Sequence, residues 1–472
     1  MLIHLLHVND VHSRLESYMR LGRQLRHMRQ SLAAAGDIVL TFDLGDLMDR
    51  VRPETEATMG LLNVDMMAGL GVDGWVFGNN EGLTIPVADW PLLAKRSQTV
   101  VFGTNLKRDA HADFSFFADH HVYEQQGVRI GVFGLTPHYE LPYDMLGVKV
   151  LNPFDRAATA VAALNARGCQ VIICLSHLGR RTDHQLASEV SGIDVILGSH
   201  THEFMTAAEW ENGTAIFQPG KFAHVFGHTV LTLNRESRVT DVVSQPVPVD
   251  LHGQYDGEMA SVYAAYLPRI NQVLSRSVVT LPERLPVVYE RESLFANMMA
   301  DVLYDEFAGD FSVMMTGALN ASLLPGIATL EHLLGACPTP TRPLVLGLTG
   351  AELYTIFQQG VQRETYMRHG IGFGFRGGRI GYLVVSGATI ELTVADDQPL
   401  VKRVLVQGEP LDMQRTYRVI TCEYLWLSPV FTPFRQSRDV TYQAPLVREV
   451  LLARMQEKGR LERARVPRYI SS

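Results

Sequence analysis

Several features that would narrow the class of this chain at once are missing. None of its four cysteines, Cys169, Cys174, Cys337 and Cys422, belongs to a CxxC pair, so no disulfide framework is legible. Cys174, inside "VIICL", reads as a small hydrophobe. No apolar run approaches the ~20 residues needed to cross a bilayer. The N-terminal "MLIHLLHVNDVHS" has no basic leader, and His4 and His7 break its apolar run. A signal peptide is therefore not expected, and a cytoplasmic protein without a membrane partner is. No basic tract appears, and a net charge of −8 argues against a nucleic-acid surface. Internal repeats and low-complexity tracts are absent as well.

What is present is an ordinary globular composition, with 46% hydrophobic and 19% charged residues. At 472 residues two or three domains are expected. The first half alternates apolar strands ("LIHLLHV", "DIVLTFD", "GWVFGN", "VRIGVFGL", "QVIICLSH", "IDVILGSH") with amphipathic helices such as "YMRLGRQLRHMRQSLAAAG" and "PFDRAATAVAALNARG". This is an α/β pattern. The strands are apolar throughout, which suits a sheet covered on both faces by helices or a second sheet. Near Gln245 the composition turns polar, and "MASVYAAYLPRINQVLSRSV" reads as one connecting helix. From about Glu290 a second α/β block follows. It ends in the helix "REVLLARMQEKGRLE" and a frayed tail, "RARVPRYISS". The expected division is 1–250, a linker over 251–288, and 289–472.

Polar groups recur where the strands of the first half stop: Asp10 and His12 in "NDVH", Asp46 in "LGD", Asn79 and Asn80 in "GNNE", His177 in "LSH", and His200 and His202 in "GSHTH". Ligands collect outside the carboxyl ends of strands in open α/β sheets. The i, i+2 spacing of Asp10 with His12, and of His200 with His202, would point each pair the same way from an extended segment. A lone Asp-x-His carries little weight, and a Gly-Asp after a strand is usually a turn. Together and in this order they suggest a centre for two divalent ions of the Mn, Fe, Zn, Co or Ni kind, sharing one carboxylate.

These motifs resemble the calcineurin-like metallophosphoesterase superfamily, and specifically its two-domain 5′-nucleotidase family. That family shows D-x-H, G-D, G-N-H-E, a lone His and G-H-x-H in this order. "RESLFANMMADVLYDEFAGDFSVMMTGALNASL", "LGLTGAELYTIF" and "GYLVVSG" extend the resemblance over the second half. The resemblance implies a four-layer β-sandwich domain flanked by helices, followed by a smaller α/β substrate-binding domain. It implies that Asp10, His12 and His202 hold one ion, that Asn79, His177 and His200 hold the other, and that Asp46 bridges. It also places Asp46, His177 and Asn80 at the catalytic centre. The ions would acidify a water and neutralise phosphoryl oxygens. The substrate would be a small phosphorylated molecule, a nucleotide by family. Domain movement in the family makes Met259–Leu274 a candidate hinge. Nothing in the motifs sets an oligomeric state.

Two departures stand out. Asn80 replaces the histidine of G-N-H-E and cannot act as a general acid. Such acid–base help is typically worth ~10²–10⁴-fold, so alkyl monoesters should suffer most and anhydrides least. Glu81 reads as an outer support or a helix cap. In "MTGALN", Met315–Asn320, Asn320 stands where the family has a phosphate-gripping arginine, and Met315 where it has an asparagine. Arg376 and Arg379 are candidates to take over anion binding. Phe373, Phe375 or Tyr382 on one side and Phe431 or Phe434 on the other are candidates for a base clamp. The leading expectation is a 5′-nucleotidase-like hydrolase. The alternatives are a phosphodiesterase or nucleotide-sugar pyrophosphohydrolase, and a catalytically weak, metal-dependent nucleotide-binding protein.

Overall fold

The computed structural model describes residues 1–108, 114–370, 372 and 375–471. It divides into two compact units, residues 1–270 and 271–472, with the division inside the helix Gly257–Leu274.

The first unit is two sheets face to face. Strand β1 (Leu2–Val8) leads into helix α1 (Leu15–Ala34), strand β2 (Ile38–Asp43) and strand β3 (Gly74–Val76). In the seven-stranded sheet β1 lies between β2, parallel to it, and Val225–Leu233, antiparallel to it; β3 continues on the far side of β2. The second sheet has six strands, with Val171–Ser176 parallel to both Val128–Leu135 and Val195–Gly198. Side chains alternate across each strand, which resolves the continuous apolar runs. Val171, Ile173 and Leu175 meet Ile3, Leu5, Leu40 and Phe42 between the sheets. Ile172 and Cys174 face outward onto Ala160, Leu164 and Leu186 of the flanking helices. The layers are therefore helix, sheet, sheet, helix. All four cysteines are buried and free.

The second unit holds a five-stranded sheet built on Phe311–Met315, Pro343–Thr349 and Thr416–Cys422, and a four-stranded sheet built on Ala388–Ala395 and Gln398–Val406. Three expectations from the sequence change here. The connecting helix stops at Leu274, because Ser277–Leu281 pairs with Gly326–Thr329 as a ribbon of the second unit; residues 277–281 are not linker. The last helix breaks into Val447–Arg454 and Arg460–Ala464. The tail is not frayed: Tyr469–Ser471 pairs in parallel with Ile390–Leu392. Arg468 anchors that tail by donating to both oxygens of the buried Asp301 at 2.8 and 2.9 Å. No helix among the described residues is long and apolar enough to cross a membrane.

Candidate metal centre

The loops leaving β1 and β2 are bonded to each other. Asp10 N donates to Gly45 O at 3.0 Å, and His12 N to Asp46 O at 2.8 Å. Neither loop is extended. Asp10, His12 and Asp46 have φ of 50°, 46° and 50°, and His200 and His202 have φ of 77° and 61°. The two i, i+2 pairs thus converge through left-handed turns, not through the alternation of a strand. Non-glycine residues enter that region at a cost of order 1–3 kcal/mol each, which surrounding contacts must outweigh. One such contact is Glu81, fully buried in the helix Asn79–Thr84. Its carboxylate accepts from Gly78 N, Asp46 N and Met48 N, each at 2.9 Å. Glu81 is therefore the clasp between the β2 and β3 exits.

Two trios result. Asp10, His12 and His202 form one, and Asp46, His177 and His200 the other, each with ligand atoms within 4.8 Å of one another. Asp46 lies between them: Oδ2 is 3.7 Å from His12 Nε2, and Oδ1 is 3.4 Å from His177 Nε2. His12 and His202 meet through their Nε2 atoms at 3.0 Å. His177 donates from Nδ1 to Leu44 O at 2.6 Å, which leaves the Nε2 lone pair for the cluster. That Nε2 and Asn79 Oδ1 are buried without a hydrogen-bond partner. Buried polar atoms are normally satisfied, so two orphaned buried atoms on these motif residues, one of them the His177 nitrogen 3.4 Å from Asp46 Oδ1, are what a cation site looks like. The donor set of carboxylate oxygens, imidazoles and one amide suits borderline divalent ions.

The charges interlock. Burial opposes ionisation of Asp10 and Asp46, but His202 beside the first and His177 beside the second win, and both carboxyls are held below their usual range. Burial likewise opposes a charged His177; the Asp46 carboxylate outweighs it and raises the imidazole to about 10, so without an ion Nε2 holds a proton, and a cation bound there would displace it to use the lone pair. His200, desolvated and beside His177, falls to about 4.

Outer contacts that no motif signalled orient the ligands. Asn9 Nδ2 donates to Asp10 Oδ2 at 2.8 Å. His200 donates from Nε2 to the Tyr139 hydroxyl oxygen at 3.0 Å, which leaves the Nδ1 lone pair free to ligate. Asp49 Oδ2 lies 3.4 Å from His12 Nδ1, a carboxylate–histidine pair that sets the tautomer. Asn80 corrects an expectation: its Nδ2 donates to Met48 O at 2.8 Å and sits 3.1 Å from His12 Nδ1. It lies against His12 and accepts from Asn79 Nδ2 at 3.3 Å through Oδ1, as a positioning residue between two candidate ligands.

In the second unit the substrate candidates scatter. Phe431 is fully buried against Phe434, and Tyr382 packs between Tyr366 and Tyr469. A base clamp needs open ring faces, so Phe431 and Tyr382 leave the set of contact residues. Phe375 is stacked on Tyr424 at 4.2 Å, which closes that face too. Phe373 lies outside the described residues. Asn320 is exposed and donates to Arg376 O at 3.0 Å, and Arg379 donates to Met367 O at 2.7 Å.

Paired sheets with helices outside, carrying a carboxylate–histidine cluster at the strand ends, define a metallophosphoesterase. The chain belongs to the two-domain branch of that class: residues 3–204 match the calcineurin-like phosphoesterase family, and residues 277–428 match the 5′-nucleotidase C-terminal domain. It is therefore a metal-dependent hydrolase of phosphate esters. It is 29% identical over 456 residues to the uncharacterized metallophosphoesterase YunD of Bacillus subtilis (strain 168), covering 96% of this chain and 98% of that one. It is 22% identical over 489 residues to a 5′-nucleotidase of Vibrio cholerae, covering 88% and 82%. Among solved structures it shares its fold with the Haemophilus influenzae NAD nucleotidase (TM-score 0.71, 15% identity, 100% and 99% covered). The same holds for a 5′-nucleotidase precursor of Thermus thermophilus (TM-score 0.60, 21% identity, 100% and 99% covered).

Proposed function

We propose that this chain hydrolyses nucleotides or nucleotide-like phosphate compounds with two divalent ions of the Mn, Fe, Zn, Co or Ni kind. Asp10, His12 and His202 would hold one ion, and Asn79, His177 and His200 the other. The observation that carries the reading is Asp46, with one oxygen turned to His12 and the other to His177. A carboxylate can serve two ions in this way. When bound, such a pair acidifies water and polarises a phosphoryl oxygen. The chain's own residues supply the rest. Asp46 and Asp10 are held ionised, His177 presents Nε2 because Leu44 O takes its other proton, and Tyr139 and Asp49 hold two imidazoles in register.

One observation favours the anhydride or activated-ester reading over simple alkyl monoesters. Asn80 is turned onto Met48 O and His12, so no side chain at this position protonates a leaving group. Poor leaving groups need that help most. The test is a panel on metal-reconstituted protein with a chelated control: a nucleoside monophosphate, a nitrophenyl diester and a nucleotide sugar. Metal-dependent turnover that is faster for the diester or the nucleotide sugar supports the reading. Absence of turnover on all three, with two ions bound per chain, refutes it.

A further inference from the structure

We infer that Lys221 and Arg14 form an anion subsite at the open edge of the metal centre, built to take a second phosphoryl group, so that the substrate class is a phosphoanhydride such as a nucleoside diphosphate. This rests on the hydrolase reading above and refines its substrate.

The strap after Phe217 is tied down at the cluster. Asn9 Nδ2 donates to Gly220 O at 2.6 Å, and Phe222 N to Asp10 O at 2.8 Å. Phe222 and Ala223 take φ of 65° and 55°, a strained path for a β-carbon-bearing pair. It sets the Phe222 ring 5.8 Å from His12 and 6.1 Å from His202, centroid to centroid. Two cations lie over that same ring: Lys221 Nζ at 4.6 Å and Arg14 Cζ at 4.9 Å. A cation–π contact is worth only ~0.5–1 kcal/mol at an exposed site and neutralises nothing. Neither cation has a carboxylate in salt-bridge range among the described residues. Arg180, nearby in sequence to His177, shows the contrast: it is paired with Glu209.

Lys221 Nζ donates to His202 Nδ1 at 3.2 Å. That bond belongs to the ion-free imidazole. An imidazole that ligates through Nε2 carries its proton on Nδ1, and an N–H offers nothing to an ammonium. With the centre loaded, Lys221 must find another acceptor. The ring keeps it and Arg14 beside His12 and His202, so the acceptor supplied there is an anionic group next to the one at the centre.

The probes are inorganic phosphate and inorganic pyrophosphate, titrated calorimetrically into metal-loaded protein, with metal content measured on each variant. Wild type should bind pyrophosphate at least ~10-fold more tightly than phosphate, as one charge-assisted contact allows. Lys221→Gln should collapse that ratio towards one, Arg14→Gln should reduce it, and Lys221→Arg should largely restore it. An unchanged ratio, an equal loss for both anions, or a loss that tracks falling metal content would overturn the subsite. Because the readout is binding, it stands apart from the panel above: wild type could turn over no ester and still show or lack the pyrophosphate preference.

Discussion

At the scale of single residues, Asp46 and Asn80 make opposite demands on a variant. Asp46 offers one oxygen to each trio, so Asp46→Ala should strip both ions and lose more than the ~10–100-fold that an outer support costs. His12→Ala should empty one position and leave the other measurable. Elemental analysis of the two proteins after identical loading decides this; equal partial loss in both would contradict a bridge. The Asn80 side chain reaches His12 through Nδ2 and accepts from Asn79 Nδ2 at 3.3 Å, while its backbone N–H donates to Asp46 Oδ1 at 2.8 Å and survives truncation of the side chain. Asn80→Ala should weaken ion binding by about 10-fold in a chelator competition without emptying either position; full retention of affinity would show that Asn80 positions no ligand.

Between elements, Glu81 and Asp183 each tie a helix to a strand or strand exit beside the site. Glu81 holds three backbone N–H groups of the β2 and β3 exits. Glu81→Ala leaves them buried without an acceptor, at ~1–3 kcal/mol each, so urea denaturation should show a loss of about 3 kcal/mol or more. Asp183 lies on the helix Arg180–Glu189, where it accepts from Ser176 Oγ of the neighbouring strand. Desolvation pushes its carboxyl up to about 7. The folded state therefore favours the neutral acid. That contribution is fully present below about pH 4 and is lost as pH rises through 7, with a slope of at most ~1.4 kcal/mol per pH unit. Asp183→Asn mimics the neutral form, so its Tm should match wild type near pH 4 and exceed it at pH 8. A constant difference across that range would show that Asp183 does not titrate in the fold.

On the scale of the whole molecule, all seven candidate ligands lie between residues 10 and 202, and the two core clusters that position them lie within the first unit. A fragment ending at Leu274, where the helix that carries the division stops, should melt cooperatively and take up two divalent ions per chain. Calorimetry and elemental analysis test this; a fragment without a cooperative transition would mean the first unit is not self-sufficient. The second unit depends on its tail: Arg468 meets Asp301 in the interior, a pairing 167 residues apart.

The chain's own pattern determined the α/β class, the pair of blocks and the candidate ligands, because strand ends and motif spacings are local and survive without a fold. Tertiary structure alone decided how those ligands meet. The left-handed turns at Asp10, His12, His200 and His202 come from hydrogen bonds between separate loops, and no i, i+2 spacing encodes them. The helix limits at Leu274 and Arg454, and the strand at Tyr469–Ser471, depend on partners far along the chain. Phe375, Tyr382 and Phe431 looked like a base clamp because an aromatic at a loop reads the same buried or exposed; only packing separates the two. Lys221 belongs to no motif. Its place beside His202 exists because a strap 19 residues downstream is bonded back onto the loop of Asp10, and such contacts form only when sheets, helices and loops have closed around one core.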